Sequence, residues 1–256
     1  MSILREGILA IGGLDPSGGA GVTRDAVTAA QLGSDCSPVV TAIAIQDDRD
    51  GVSRVESVPA ATVLDQVGAA LTRRVAAVKL GMLTSAEVID SLGPVLRQLS
   101  LPVVLDPVLA ASRGGALLAP DGLEALKALR DVVTVITPNR TEARALGILD
   151  PDASRHQGWT RLVVTGGDED GPEAIDHYSG PEGEHELVAP RIAGRCPRGT
   201  GCTFATATTV ALARGLDPLE AVRFAKGAVT RAIAAASHNR LGSVASVGAS
   251  AGHPFE

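Results

Sequence analysis

The feature that most constrains this chain is a series of short runs in which apolar residues occupy consecutive positions. Ile8–Ile11, Val103–Leu105 and Leu162–Val164 are such runs, and Pro38–Ile45, Ala77–Leu80 and Val132–Ile136 are close variants. A strand that is apolar on both faces must be covered on both faces, as in the parallel sheets of α/β proteins. Helix-like segments separate the runs: Ala20–Leu32, Ala60–Leu71, Ser85–Leu99, Asp121–Leu129 and a start at Thr141–Leu146. This alternation predicts an α/β fold, a doubly wound and mostly parallel sheet with helices on both faces. Gly93-Pro94 is expected to interrupt the third helix, and Asp121 to cap the fourth. Gly171–Pro190, rich in Gly, Pro and acidic residues, reads as a small antiparallel excursion. Gly201–Ser237 reads as two packed helices parted near Gly215–Pro218, with a Gly/Ser/Ala-rich tail after Asn239. One domain is expected across residues 1–256.

Composition narrows the partners. Apart from histidines, Trp159, Tyr178, Phe204, Phe224 and Phe255 are the only aromatic rings, so the core rests on Val, Ile, Leu and Ala. Base-stacking platforms need rings, and a formal charge of −6 opposes a phosphate-backbone partner. No nucleic-acid partner is expected. Cys36, Cys196 and Cys202 are too few for a disulfide framework and lack metal-ligand spacing, which fits a reducing cytoplasm. The five histidines show no metal spacing either, and none receives a role. No apolar run reaches the roughly 18 residues of a membrane span, and Ile8–Leu14, broken by two glycines, lacks the form of a secretory signal. The expectation is a soluble cytoplasmic protein with no membrane partner.

The polar residues with chemistry fall just after the apolar runs: Gly13, Asp15, Gln46, Asp106, Asn139 and Thr165. Open α/β sheets bind ligands at that edge. Gly199-Thr200-Gly201-Cys202 leads into an Ala/Thr-rich helix. It fits two uses: a hole for a phosphate or anionic oxygen at a helix N-terminus, with a thiolate favoured in the first turn, or a plain cap over a small buried Cys. Gly12–Gly21 opens another helix. Its glycine spacing and Pro16 exclude a dinucleotide fingerprint, and no Lys follows it as in a Walker loop; ligand loop and flexible turn both remain. Asn139-Arg140-Thr141-Glu142 offers either a water-mediated Mg²⁺ site or a helix start with a dipole-compensating Glu142. Asp106, at the end of a buried strand, needs a partner or a cation, or a turn that hydrogen-bonds it.

In order along the chain, these strings resemble the hydroxymethylpyrimidine/phosphomethylpyrimidine kinases of thiamin biosynthesis, ribokinase-like proteins related to pyridoxal kinases. The resemblance covers Ile8–Ala236. It is carried by Gly13–Gly21, Thr41–Gln46, Lys79–Leu83, Val104–Val108, Thr137–Ala143, Ala189–Arg191 and Gly199–Thr203. It implies an ATP- and Mg²⁺-dependent kinase acting on a pyrimidine alcohol, with a pyridoxal-type vitamer or a catalytically impaired pyrimidine binder as alternatives, and a homodimer. Gln46 would read the aminopyrimidine edge, donating and accepting at once. Gly13, Ala20, Met82 and Val108 would line the ring pocket, with Asp25 near the substrate. Asp106 and Glu142 would hold Mg²⁺, mostly through waters. Asn139, Thr165, Gly167 and Lys226 would face the nucleotide. Gly199, Thr200, Gly201 and Cys202 would form the anion hole, with Cys202 helping to remove the hydroxymethyl proton.

The sequence also departs from that family. Where it usually carries Ala-Lys-Ser-Gly, this chain has Ala111-Ser112-Arg113-Gly114. Its Lys-Gly-Gly is here Thr165-Gly166-Gly167, and its His before Gly-Thr-Gly-Cys is Arg198. Two phosphate-facing lysines are thus absent, and Arg113, Arg195 and Arg198 are the candidate substitutes. Ala111–Leu117 is a candidate lid.

Overall fold

The structure is a computed structural model, and it describes residues 7–47, 51–111, 114–149, 158–167, 169–192 and 198–236. Ser112, Arg113, Arg195 and the tail beyond Asn239 lie outside the described residues. One nine-stranded sheet has the order β3-β2-β1-β4-β5-β6-β7-β8-β9. The strands are β1 (Gly7–Leu14), β2 (Cys36–Asp47), β3 (Gly51–Ser57), β4 (Val75–Leu80), β5 (Val103–Leu105), β6 (Val135–Ile136), β7 (Leu162–Val164), β8 (Glu173–Gly180) and β9 (Gly183–Pro190). The pairs from β2 to β7 through β1 are parallel. β3 pairs antiparallel with β2, and β7, β8 and β9 form an antiparallel run.

The helices are α1 (Gly21–Gln31), α2 (Ala60–Ala70), α3 (Ala86–Leu99), α4 (Gly122–Lys127), α5 (Arg140–Ala145), α6 (Thr200–Ala213) and α7 (Pro218–Ala236). Consecutive strand residues feed opposite cores. Leu9, Val78, Leu105, Ile136 and Leu162 join Val63, Leu92 and Ala143 from the α2–α5 layer. Ile8 and Ala77 pack with Ala29 and Val210, and Val104 packs with Ala205, in the α1, α6 and α7 layer. This is the physical meaning of the unbroken apolar runs. The strand order reverses at β1, which has β2 on one side and β4 on the other. The C-terminal ends of β1, β2, β4, β5, β6 and β7 therefore share one edge of the sheet.

α6 is buried along its whole length from Cys202 to Ala213. A helix apolar on every side belongs in an interior. Its small residues let it lie between the sheet, α1 and α7, and Thr208 and Thr209 satisfy their hydroxyls on the carbonyls of Phe204 and Ala205. Among the described residues, no helix is long and apolar enough to cross a membrane.

Two local expectations are corrected, and one strand is new. α3 continues through Gly93-Pro94 instead of breaking there; Leu92, Gly93 and Leu96 are buried on either side of the proline, and that packing outweighs the missing N–H. Asp121 stands at the N-cap position of α4 with helical dihedrals and no side-chain cap bond. β3, with its polar Ser53, Arg54 and Glu56, is invisible to the hydrophobic pattern because it is an edge strand, open to solvent on most of its residues.

Pro94 is exposed and costs the helix a hydrogen bond. Pro94→Ala is expected to stabilise the protein by about 1–2 kcal/mol, below the ~3 kcal/mol propensity difference because the unfolded chain also gains freedom. The urea midpoint checks this; an unchanged or lower midpoint would contradict an uninterrupted α3.

Candidate active site

The centre of the site is a charged cluster between the sheet and α6. Lys79, the penultimate residue of β4, points into the α1–α6 layer with 1% of its side chain exposed. Its ammonium lies 3.0 Å from Asp25 Oδ2 and 3.8 Å from Asp106 Oδ2. Thr206 donates to the second Asp25 oxygen at 2.8 Å. Asp25 is fully buried, and its carboxylate is committed to Lys79 and Thr206. The reason is electrostatic, because an ammonium inside the fold needs a carboxylate at contact distance. Burial pulls Lys79 down, but Asp25, Cys202 and Asp106 outweigh burial and hold the ammonium above its ordinary range. Burial pushes the Asp25 carboxyl up against the pull of Lys79. Lys79 has no role among the sequence-based expectations; the signal for it is one charged residue inside an otherwise apolar strand.

Asp106 follows β5 and is buried, and its Oδ2 has no hydrogen-bond partner. Burial pushes its pKa up, Lys79 pulls it down, Asp25 pushes it up, and a hydrogen bond from the Cys202 thiol pulls it down; the net direction is up. Burial pushes Cys202 itself up to about 12, with Lys79 opposing and the two carboxylates adding to the rise. The thiol is thus protonated at neutral pH. The expected thiolate is corrected: burial beside two carboxylates outweighs the helix N-terminus.

The rim of the site is made by two glycine loops. Gly199 has φ +81°, and a Cβ there would fall 2.1 Å from the carbonyl oxygen of Gly19. The two loops therefore touch through backbone, which only glycine permits. Asp15 binds them further. It accepts from the Ser17 N–H and hydroxyl and pairs with Arg198 at 3.2 Å. A Cβ at Gly201 would stand 3.9 Å from Asp106 Oδ1, so the α6 N-terminus opens onto the carboxylate. Cys202 and Thr200 lie in that same first turn.

Along the edge, Gly13 lies directly against Met82 Sδ, and Thr41 donates to the Met82 carbonyl at 2.6 Å. Ala20 is the residue before α1. Gln46 sits near the end of β2, just past a register shift, opposite Val52 of β3. The segment after Val108 doubles back, with Ala110 bridging Ala116 and Gly115 reaching Val52. That brings Gly115 to the strand that faces Gln46. Asn139 and Glu142 form a capping box: the Asn139 side chain accepts from the Glu142 N–H, and Glu142 Oε2 accepts from the Asn139 N–H, each at 2.9 Å. The helix-start reading of these residues is therefore correct, with one Glu142 oxygen used by the cap. Asn139 bridges Thr165, which donates its N–H to Pro138. Lys226 forms an ion pair with Asp176 at 2.8 Å, and the other Asp176 oxygen accepts from the Gly166 N–H in the turn after β7.

Mg²⁺ is compatible with this donor set: Asp106 Oδ2 accepts no hydrogen bond and has the Lys79 ammonium, 3.8 Å away, as its ion-pair partner, and its Oδ1 lies towards the N-terminus of α6. Magnesium keeps several waters and takes one or two protein carboxylates.

The sequence profile described as phosphomethylpyrimidine kinase matches residues 15–246. A hydroxymethylpyrimidine/phosphomethylpyrimidine kinase from Rhizobium meliloti is 37% identical over 247 residues, covering 91% of this chain and 92% of that protein. The enzyme of the same name from Escherichia coli is 33% identical over 255 residues, covering 93% and 94%. Among solved structures, the pyridoxal kinase of Staphylococcus aureus in complex with AMP-PCP and pyridoxal superposes with a TM-score of 0.79 at 31% identity, covering 90% of this chain and 88% of that one. The phosphomethylpyrimidine kinase of Clostridium difficile superposes with a TM-score of 0.73 at 31% identity, covering 90% and 100%.

Two outcomes follow from the cluster. Lys79→Met leaves buried carboxylates without their cation and should cost about 3–5 kcal/mol in urea unfolding, with a large part recovered on adding Asp25→Asn. Equal losses in the single and double variants would contradict the pairing. In a chain with Cys36 and Cys196 changed to Ala, iodoacetamide at pH 8 should label Cys202 at least ~10-fold more slowly than glutathione. The rate should climb only as pH approaches 12; fast labelling at pH 8 would show a thiolate.

Proposed function

Because the chain belongs to the phosphomethylpyrimidine kinase family, it is a phosphotransferase, and we propose that it carries the γ-phosphoryl group of ATP to the hydroxymethyl oxygen of 4-amino-5-hydroxymethyl-2-methylpyrimidine, and to the resulting monophosphate, in thiamin biosynthesis. The observation that carries this reading is the meeting of the α6 N-terminus with the buried carboxylate of Asp106, where a Cβ on Gly201 would stand 3.9 Å from its Oδ1. An anion hole beside a cation-binding oxygen is what in-line phosphoryl transfer needs, since that reaction depends on positioning and charge neutralisation more than on a strong base.

The N–H groups of the first turn of α6, from Thr200 to Cys202, face the developing charge. Asp106, and Glu142 through water, would hold Mg²⁺, which would screen the charge of the phosphoryl group that the nucleotide supplies. Gln46 orients the aminopyrimidine edge, and Gly13, Ala20, Met82 and Val108 enclose the ring. Asn139, Thr165 and Gly167 form the nucleotide side. Cys202, whose thiol donates to Asp106, helps hold that carboxylate in place, and the reaction draws on it little as a base. The same reading carries a homodimer in the cytoplasm, for which β9, the end strand of the sheet with Val188 half exposed, offers a surface; light scattering tests the dimer.

A second reading, a pyridoxal-type vitamin kinase, is favoured by the TM-score of 0.79 to the Staphylococcus aureus pyridoxal kinase against 0.73 to the Clostridium difficile phosphomethylpyrimidine kinase. ADP release with Mg-ATP separates the two when hydroxymethylpyrimidine, its monophosphate and pyridoxal are run in parallel. Turnover is expected on the pyrimidines. Gln46→Ala should raise their KM about 10-fold or more, Gly199→Ala should lower kcat on the order of 100-fold, and Cys202→Ala should cost no more than about 10-fold. Turnover on pyridoxal alone would favour the second reading. No ADP from any alcohol, with a pyrimidine still raising the Tm, would mean a binding protein disabled by Ser112 and Thr165.

A further inference from the structure

The turn Thr165-Gly166-Gly167 follows β7 at the functional edge and has no lysine of its own. It is nonetheless held firmly from behind. Gly166 lies so close to β8 that a Cβ would fall 1.9 Å from the Ile175 carbonyl oxygen. Its N–H donates to Asp176 Oδ1 at 3.0 Å. The other oxygen of the same carboxylate receives the Lys226 ammonium at 2.8 Å, with both side chains largely buried at 12% and 5% exposure. From the opposite side, Arg191 at the end of β9 donates to the carbonyls of Gly166, Gly167, Gly171 and Glu173. One turn is thus fixed by α7 through Asp176 and by the antiparallel run through Arg191.

We propose that Lys226 and Arg191 are positioning residues for the nucleotide, acting through Asp176 and the backbone of the Thr165–Gly167 turn without touching the phosphates. This rests on the kinase reading above. An ion pair that spends both oxygens of one buried carboxylate, one on an ammonium and one on a backbone N–H, fixes that N–H in place far better than a lone side chain. With the turn rigid, the turn backbone and the Thr165 hydroxyl are already placed for a polyphosphate, and binding loses less to ordering. The antiparallel excursion thereby contributes to the site, because it carries Asp176 and Arg191, the two side chains that hold the turn.

Calorimetry with AMP-PCP and Mg²⁺ on the full chain tests this. Lys226→Met and Asp176→Asn should each weaken binding about 10-fold, and the double variant no further, because both act through one link. Lys226→Arg, which keeps an ion pair, should stay within about threefold of the native chain. Hydrogen exchange of the Gly166 amide should quicken in Lys226→Met while the α3 amides keep their native rates. The inference is overturned if Lys226→Met weakens binding and Asp176→Asn does not, since Lys226 would then meet the nucleotide directly. It is also overturned if both variants bind as tightly as the native chain. Should Lys226→Met not fold, Arg191→Gln carries the same binding and exchange readouts. A native chain that binds no AMP-PCP would instead overturn the kinase reading, and the inference with it.

Discussion

A lysine near the C-terminal end of a buried parallel strand is the constraint on which the site depends. Lys79 has no route to solvent, so α1 must bring Asp25 to it, and α6 must bring Thr206 to complete Asp25. Those contacts set how α1 and α6 lie on the sheet, and therefore where the N-terminus of α6 ends. It ends at Asp106, the second carboxylate of the cluster. One cation shared between two buried carboxylates leaves an oxygen of Asp106 without a hydrogen bond. Such an oxygen is costly in an inert core and useful where a metal ion arrives with a substrate.

The same architecture explains why the chemistry sits on backbone. The Gly12–Gly21 loop and the Gly199 loop approach until only hydrogen fits between them, and Asp15 with Arg198 ties the contact. The nucleotide side is organised differently. There a turn without a lysine of its own is braced by Asp176, Lys226 and Arg191. Rigidity and charge are different physical resources, and the brace supplies the first without replacing the second.

Much of this was legible in the residues. Consecutive apolar positions implied strands covered on both faces, and alternate residues of those strands do feed separate cores. Polar residues after those runs marked the edge of the sheet correctly. What misled was local. Pro94 has the form of a helix breaker, yet buried neighbours carry α3 through it. The partners of Asp25 and Lys226 were not legible, because each lies far away in sequence. Cys202 at a helix start suggests a thiolate, but burial, with two carboxylates from across the fold, decides its protonation.

By itself the sequence determined the fold class, the edge that carries the site, and the order of the motifs along it, because these follow from hydrophobic periodicity and from residue types that act within a few positions of one another. Tertiary structure alone decided which charges neutralise one another and which remain to meet a ligand. Lys79 with Asp25, Asp15 with Arg198, and Lys226 with Asp176 join segments far apart in the chain. Electrostatic energy depends on distance and burial, and neither exists until the chain has folded.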